Sequence, residues 1–461
     1  MATPTSIALN RFGLGARPGD ALPVDARRWL LEQLQNYAAD PAAWTRLPRT
    51  EALLADYFEQ QRAARQAREA GNQAARQMLR QGARRDYLQA VGARTDAALD
   101  TPTPFVERLV HFWANHFAVS VEKLAVTNLA GAFESEAIRP HVLGRFEDLL
   151  LAVEQHPAML LYLDQATSIG PNSPAVLRAA ERNPQRQRGL NENLAREILE
   201  LHTLGVRSGY TQADVTELAR ALTGWSVAGQ AGGPLTPMES GDHGFAFRPA
   251  LHEPGSRIVA GRSYAQAGQA QALSVLKDLA AAPATARHIA TKLARHFVAD
   301  VPPDALVNRL ADAFQRSSGD LSAVYRALVD APEAWTSQAG KFKTPWEWAV
   351  SALRGLGLRE LGGMQMAALM VQLGQPVWRP GSPAGYDDIA ASWAAPDALV
   401  RRVEMAQRLA AQAGSQADAR SLGPALLPGA LSEATATAVA RAESPSSGLA
   451  LLLVSPDFLR R

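Results

Sequence analysis

The stretch NENLAREILELHTLG, from Asn191 to Gly205, is the most informative segment of this 461-residue chain. At about 100° per residue along a helix, four polar side chains fall on one face, which we call the 193–200 stripe: Asn193, Arg196, Glu197 and Glu200. The opposite face carries Leu194, Ala195, Ile198, Leu199, Leu201 and His202. Gly205 is typical of the residue at which a helix ends. The pattern predicts an amphipathic helix whose polar face either meets solvent or lines a site for a metal or a polar substrate.

Helical periodicity extends over most of the chain, because apolar residues recur every three or four positions among abundant Ala, Leu, Arg, Glu and Gln. Thr211 with Asp214 resembles a capping box and predicts a helix from Gln212 to about Thr223. Between 227 and 264 the helical pattern disappears, and the apolar pairs at 245–247 and 258–259 predict a short β-hairpin. We therefore predict a mostly α protein: one large multi-helix domain, residues 1–461, with an irregular insert at 227–264 that carries a short β-hairpin.

The segment 49–98 is predicted to form an Arg-rich helical arm. Its arginines are not interleaved with aromatic residues, and the net charge of the chain is only +2. We therefore expect a solvated arm and no binding of nucleic acid.

The composition excludes several classes of site. The chain has no cysteine, which excludes disulfides, thiolate nucleophiles, iron–sulfur clusters and cysteine zinc sites. No apolar run approaches the length of a membrane-spanning helix. The first residues lack the basic and apolar regions of a secretory signal, so the default expectation is a cytoplasmic protein, with export alongside a partner left open.

A second polar face is predicted on the helix Phe105 to Ala118. Glu107, His111 and Asn115 lie at positions i, i+4 and i+8 and therefore share one side of this helix. If this face and the 193–200 stripe met, they would form a polar pocket suited to acid–base chemistry or to a divalent cation. The Glu-x-x-His spacing of di-iron bundles is missing, so whether a metal binds stays open.

Two further groups are candidates for contacting a substrate. His252 and Glu253 lie in the irregular insert, where the alternative is a solvated turn. His288, Lys292 and Arg295 form a basic face on the helix Ala286 to Val298. This face could bind an anionic group or pair internally with the acidic side chains of the other two helices.

Several segments together carry a resemblance to a known family. They are NENLAREILELHTLG from Asn191, GYTQADVTELARALTGW from Gly209, HFWANHFAVS from His111, HPAMLLYLD from His156 and HIATKLARHFVAD from His288. They resemble the bacterial DUF1800 family, a domain of unknown function, and the resemblance covers nearly the whole chain. It implies a partner, because genes for such proteins commonly neighbour those of DUF1501 proteins, which are similar to sulfatases and alkaline phosphatases.

Two functions follow as hypotheses. The first is an enzyme that acts on a polar or polymeric substrate in a pocket between helices, either with or without a metal. The alternative is a non-catalytic binding or assembly partner of a DUF1501-like protein, in which the charged faces only stabilise the fold. A cavity beside the polar faces would favour the enzyme. Its catalytic candidates are Glu197, Glu200, Asn193, Arg196, Glu107, His111 and Asn115, and its substrate-binding candidates are His252, Glu253, His288, Lys292 and Arg295.

Overall fold

The computed structural model describes residues 2–69, 74–182, 189–229, 238–337, 340–414 and 417–461. Over these residues the protein is mostly α-helical, as predicted. The α-helices are, in chain order, α1 (Pro4–Ile7), α2 (Ala26–Asn36), α3 (Ala42–Thr45), α4 (Thr50–Glu69), α5 (Ala74–Asp100), α6 (Pro104–His116), α7 (Leu124–Thr127), α8 (Ala130–Ala132), α9 (Phe146–Gln155), α10 (Pro157–Tyr162), α11 (Pro174–Arg182), α12 (Asn193–Glu197), α13 (Gln212–Leu222), α14 (Gln269–Ala281), α15 (Pro283–Phe297), α16 (Asp304–Arg316), α17 (Leu321–Asp330), α18 (Pro345–Gly355), α19 (Gly363–Gln372), α20 (Ala390–Trp393), α21 (Pro396–Ala413), α22 (Ala419–Leu426), α23 (Glu433–Ala440), α24 (Pro445–Leu453) and α25 (Pro456–Leu459). Three π-helical segments, Ala8–Phe12, Phe133–Ile138 and Ile198–His202, accompany them. None of the described helices has the length and apolar character needed to cross a membrane.

The strands lie where the insert was predicted, but their pairing differs from the prediction. Strand β1 (Trp225–Val227) and strand β2 (Glu239–Ser240) both pair with β3 (Phe245–Phe247) in an antiparallel sheet. A separate antiparallel hairpin joins β4 (Arg257–Val259) to β5 (Arg262–Tyr264). The predicted pairing of 245–247 with 258–259 is therefore wrong: 245–247 pairs with two strands that precede it, and 258–259 pairs with the strand that directly follows it.

The Asn191 helix is amphipathic as predicted, but its last turn is not α-helical. Helix α12 passes directly into the π-helix Ile198–His202, and the chain leaves the helix before Gly205. The Thr203 hydroxyl donates a 2.6 Å hydrogen bond to the carbonyl of Ile198, five residues earlier, and so satisfies an oxygen at the end of the wide turn. Gly205 then adopts a φ of +93°, a conformation that favours glycine.

Local signals account for several other elements. Thr211 and Asp214 form the predicted reciprocal capping box at the start of α13. The arm at 49–98 consists of α4 and α5, which pack against each other. Residues 174–182 form α11.

Helix α6 lies at the centre of the core. Thr103 precedes it, and Pro104 occupies its first turn, where a missing N–H costs nothing. Its side chains are buried except at Asn115, which is half-buried. Burying both faces places Glu107, Arg108 and His111 inside the protein, where each needs a partner.

The last residues of the chain lie alongside the segment that leads into α18. The N–H of Arg461 donates to the carbonyl of Lys341 at 2.9 Å, and the N–H of Lys343 donates to the carbonyl of Leu459 at 2.9 Å. This short antiparallel contact brings the buried side chain of Arg461 toward α6 and α15.

Candidate functional site

A cavity of about 560 Å³ lies between α6, α15, the first turn of α18 and an irregular stretch that we call the 375–389 segment. Its volume is within the range of small-molecule sites, about 300–1,000 Å³. The polar and aromatic side chains of its wall are Arg94, Arg108, His111, Phe112, Asn115, His116, His288, Thr291, Lys292, Arg295, His296, Thr344, Trp346, Glu347, Gln375, Trp378, Tyr386, Asp387 and Asp388.

Asn115 holds the 375–389 segment against α6. Its side-chain amide donates to the carbonyl of Tyr386 at 2.8 Å, and its side-chain oxygen accepts from the N–H of Tyr386 at 2.7 Å. The neighbouring Gly385 has a φ of +82°, and a side chain there would collide with the backbone of Asn115. This close approach fixes one wall of the cavity.

Replacing Asn115 with Ala should release this wall. Two hydrogen bonds are lost, and we expect the free energy of unfolding to fall by about 1–2 kcal/mol. Hydrogen exchange at Tyr386 should rise at the same time. The control is Asn308→Ala, because Asn308 is an exposed amide whose described side-chain bond is to Arg287. Unchanged exchange at Tyr386 in Asn115→Ala would contradict the clamp.

Asp388 forms the centre of an ion-pair cluster at the end of the 375–389 segment. Its carboxylate lies 2.5 Å from Nδ1 of His296 and 3.3 Å from Nζ of Lys341. Lys341 also binds the carboxylate of Asp300 at 2.6 Å. Burial alone would raise the pKa of Asp388, but His296 and Lys341 hold it below its ordinary range. This carboxylate is therefore charged at neutral pH.

Glu347 connects this cluster to α6. Within α18 it completes a capping box with Thr344, and its carboxylate also pairs with Arg108. Arg461 approaches the same carboxylate at 2.9 Å and donates to the carbonyl of His296 at 2.6 Å. Burial opposes ionisation, yet the two guanidinium groups lower the pKa of Glu347 to about 2. The charges of Arg108 and Glu347 are thus mutually satisfied.

Glu107 points away from the cavity into a second buried cluster. Its carboxylate binds Arg139, with one hydrogen bond of 3.1 Å and a second, shorter one. Glu134 lies 3.9 Å from Arg139 and 3.3 Å from Arg94. Despite burial, which would raise it, the pKa of Glu107 is lowered to about 2 by Arg139. The predicted face of α6 is therefore split between this internal cluster and the cavity.

Two tryptophans form the aromatic part of the cavity wall. The Arg94 guanidinium lies over both rings, 4.6 Å from the centroid of Trp346 and 5.3 Å from that of Trp378. The indole N–H of Trp346 donates to Nδ1 of His111 at 3.2 Å, and that of Trp378 donates to Glu134 at 3.1 Å. Because their polar atoms are already bonded, these rings offer apolar surface to a ligand.

Lys292 is different from the other charged groups of the wall. It is half-buried and makes neither a hydrogen bond nor an ion pair within the described residues. Burial lowers its pKa to about 8, with Asp388 opposing and Arg295 adding to the effect. Near it, burial and then the Lys292 charge lower the pKa of His288 to about 4 and that of His116 well below its ordinary value. Both histidines are therefore neutral at pH 7.

The structure brings five of the predicted site residues to the cavity: His111, Asn115, His288, Lys292 and Arg295. The 193–200 stripe does not face α6, and its four side chains are absent from the described cavity wall. Arg196 instead binds Glu192 at 3.2 Å, and Glu200 accepts from the hydroxyl of Tyr210 at 3.1 Å. Burial raises the pKa of half-buried Glu197. The catalytic role expected of Glu197 stays a prediction, and it would apply to a surface outside this cavity wall.

The two candidates from the insert also lie away from the cavity wall. Nδ1 of His252 lies 2.9 Å from the carbonyl oxygen of Thr223. Buried Glu253 accepts from the side chain of Asn172 at 2.6 Å and from its backbone N–H at 2.7 Å. These contacts fasten the insert to the end of α13 and to the loop before α11. Substrate contact by either residue stays a prediction.

Sequence reasoning missed several wall residues, among them Glu347, Asp388, Trp346 and Trp378. They lie in or near irregular backbone, where no periodicity points to a shared face. For Trp378 and Asp388, the concentration of aromatic and proline residues between 377 and 394 was an available signal.

The described residues contain no group of three or more His, Asp and Glu side chains arranged to hold a metal ion. The nearest grouping, at Asp388, is already occupied by Lys341 and His296. The donor set seen at the cavity therefore does not fit the divalent cation that the sequence left open.

Comparison with known proteins gives one match. The family described as "Protein of unknown function (DUF1800)" matches residues 7–460. No curated protein and no solved structure matches the chain. The match spans nearly all of the sequence, as the resemblance predicted, and the chain therefore belongs to the DUF1800 family.

Proposed function

We propose that this protein is an enzyme that binds a small polar molecule in the cavity between α6, α15 and the 375–389 segment. The observation that carries the proposal is the presence of Lys292 in that cavity without a hydrogen-bond or ion-pair partner among the described residues. Leaving a half-buried ammonium unpaired is unfavourable for folding, and such groups concentrate at functional sites.

The remaining wall supports the same conclusion. Its other buried ionisable groups, such as Arg108, Glu347, His296 and Asp388, are fixed by one another. Because these charges hold one another in place, they can orient a ligand beside the Lys292 amine without moving when the ligand binds. The volume suits a metabolite or one terminal unit of a polymer.

Blocking the cavity tests the proposal. Ala384 lines the cavity but is exposed, so Ala384→Trp should fill the space without disturbing the core. The matched control is Ala305→Trp, on the exposed face of α16. A panel of small polar compounds would be screened by thermal shift, and each ligand would be incubated with the protein and followed by mass spectrometry. We expect ligands that stabilise the wild type and Ala305→Trp but not Ala384→Trp.

Removing the free amine is the second test. Lys292→Met should lower kcat/KM for a converted ligand by about 10- to 100-fold, the range for loss of one charge-assisted contact to the substrate. Lys277→Met is the control, because Lys277 is largely exposed. Cavity ligands that are bound but never converted would overturn the proposal and favour the alternative, a non-catalytic binding partner of a DUF1501-like protein.

A further inference from the structure

We infer that Lys292 and Arg295 form a subsite for the carboxylate or phosphate group of a ligand whose apolar body lies on the aromatic wall. The inference rests on the proposed function and specifies its substrate class. It follows from the charges of the cavity, from the spacing of the two residues on α15 and from the character of the remaining wall.

The charges of the wall leave these two cations uncompensated. Arg94 pairs with Glu134, and Arg108 pairs with Glu347. Asp388 is shared between His296 and Lys341. Within the described residues, neither Lys292 nor Arg295 has a carboxylate within ion-pair distance.

One acidic group of the wall, Asp387, is also without an ion pair in the part of the chain that the structure describes. Exposed Asp387 accepts a 2.8 Å hydrogen bond from the hydroxyl of Ser392. Even with this carboxylate counted, the unpaired charges are two positive and one negative. An anion would therefore be attracted to the cavity, and a cation would be repelled from the α15 side.

The geometry of α15 allows one anion to contact both cations. Lys292 and Arg295 are three residues apart, a spacing that places side chains next to each other on a helix. Nε of Arg295 donates to the carbonyl of Asp300 at 3.2 Å, which leaves its two terminal nitrogens without a described partner. A guanidinium with two free terminal NH2 groups beside an ammonium is a common arrangement for binding carboxylate or phosphate.

The rest of the ligand is indicated by the aromatic wall. Trp346, Trp378, Tyr386 and Phe112 line the cavity, and the Tyr386 hydroxyl already donates to the carbonyl of Pro376 at 2.5 Å. With their polar atoms engaged, these side chains favour an apolar or ring-containing body over a second charged group.

The groups that face Lys292 fix how binding depends on pH. They are neutral His116 from α6, charged Asp388 from the 375–389 segment, and His288 and Arg295 from α15 itself. Since the pKa of Lys292 is about 8, its positive charge is present below that pH and disappears above it. Affinity for an anion of constant charge should therefore fall as the pH rises through about 8.

Titration calorimetry with benzoate, phenyl phosphate and benzamide tests the inference. Benzamide has the shape of benzoate without its charge. We expect benzoate to bind at least about 10-fold more tightly than benzamide, since one charge-assisted contact is worth about 10- to 100-fold in affinity. Lys292→Met and Arg295→Met should each remove most of this preference. Comparison of benzoate with phenyl phosphate shows whether the subsite prefers a planar or a tetrahedral anion.

The control is Arg287→Met, which removes the same charge from the same helix. Arg287 is exposed and pairs with Asp304 at 3.6 Å, away from the described cavity wall. Equal loss of benzoate affinity in Arg287→Met would mean that the overall charge attracts the anion, and would overturn the inference. Equal affinity for benzoate and benzamide would also overturn the anion subsite. If both compounds still bound in the cavity, the proposed function would not be contradicted.

Discussion

Glu107→Gln should lower the free energy of unfolding by about 3–5 kcal/mol, the range expected when one partner of a buried ion pair is removed. Arg139 and Glu107 are both almost completely inaccessible, so the guanidinium would keep its charge without solvent to stabilise it. Glu134 could replace the lost carboxylate only in part, since it lies 3.9 Å from Arg139 and already pairs with Arg94.

Urea unfolding at several pH values would measure this effect. In the folded protein the pKa of Glu107 is about 2, below its value of about 4.3 in an unfolded chain. Its stabilisation is therefore complete above about pH 4.5 and is lost as the pH falls toward 2. Glu107→Gln should be less stable at neutral pH and should lose less stability on acidification.

The control for this experiment is Glu32→Gln, which removes a carboxylate from an exposed pair with Arg28. Such pairs contribute less than about 1 kcal/mol. A loss below 1 kcal/mol in Glu107→Gln would contradict the role assigned to the buried pair and would leave Glu107 available for another function.

How much of this architecture could be predicted depends on the kind of signal each element carries. The capping box at Thr211 and Asp214 is a local signal, so the start of α13 was predicted correctly. The buried face of the Asn191 helix is set by its apolar spacing and was also correct. The π-turn at Ile198–His202 was not predicted. It depends on which hydrogen-bond partners the backbone groups of the last helical turn find, and the local sequence does not show this.

Which faces meet across the core is a tertiary property, and the sequence left open whether the polar faces of α6 and α12 would meet. The sequence offered three polar helix faces, those of α6, α12 and α15. It gave no means of deciding that α15, and not α12, would contribute to a cavity beside α6. The three acidic residues of the described cavity wall, Glu347, Asp387 and Asp388, all come from α18 and from the 375–389 segment, far away in sequence.

Lys343→Met should raise the free energy of unfolding at pH 7 by about 1–4 kcal/mol, the gain seen when buried charges are replaced by apolar groups of similar volume. The Lys343 side chain is inaccessible, and its ammonium has no hydrogen-bond partner within the described residues. It lies 4.2 Å from the ring centroid of Phe458. A methionine could keep this contact through its sulfur without the cost of desolvating a charge.

The pH dependence separates this explanation from a simple change in packing. Burial, with Arg108 adding to it, lowers the pKa of Lys343 to about 7, whereas an unfolded chain holds the proton up to about pH 10.4. Between these values the unfolded state binds more protons, so the stability of the wild type should rise with pH. Lys343→Met should lose this rise, whereas Lys277→Met should keep it because Lys277 is largely exposed.

Chemical unfolding of the three proteins at about pH 7 and about pH 9.5 would measure both effects. The advantage of Lys343→Met should be largest at pH 7 and should shrink at the higher pH, where the wild-type amine is neutral when folded. If the variant were less stable at both pH values, the buried amine would have to be a stabilising group. Its retention in the core, just before α18 and near Arg108 and Glu347, would then follow from its own contribution to stability. The expected result instead makes Lys343, like Lys292, a cation that the fold holds at a cost in stability.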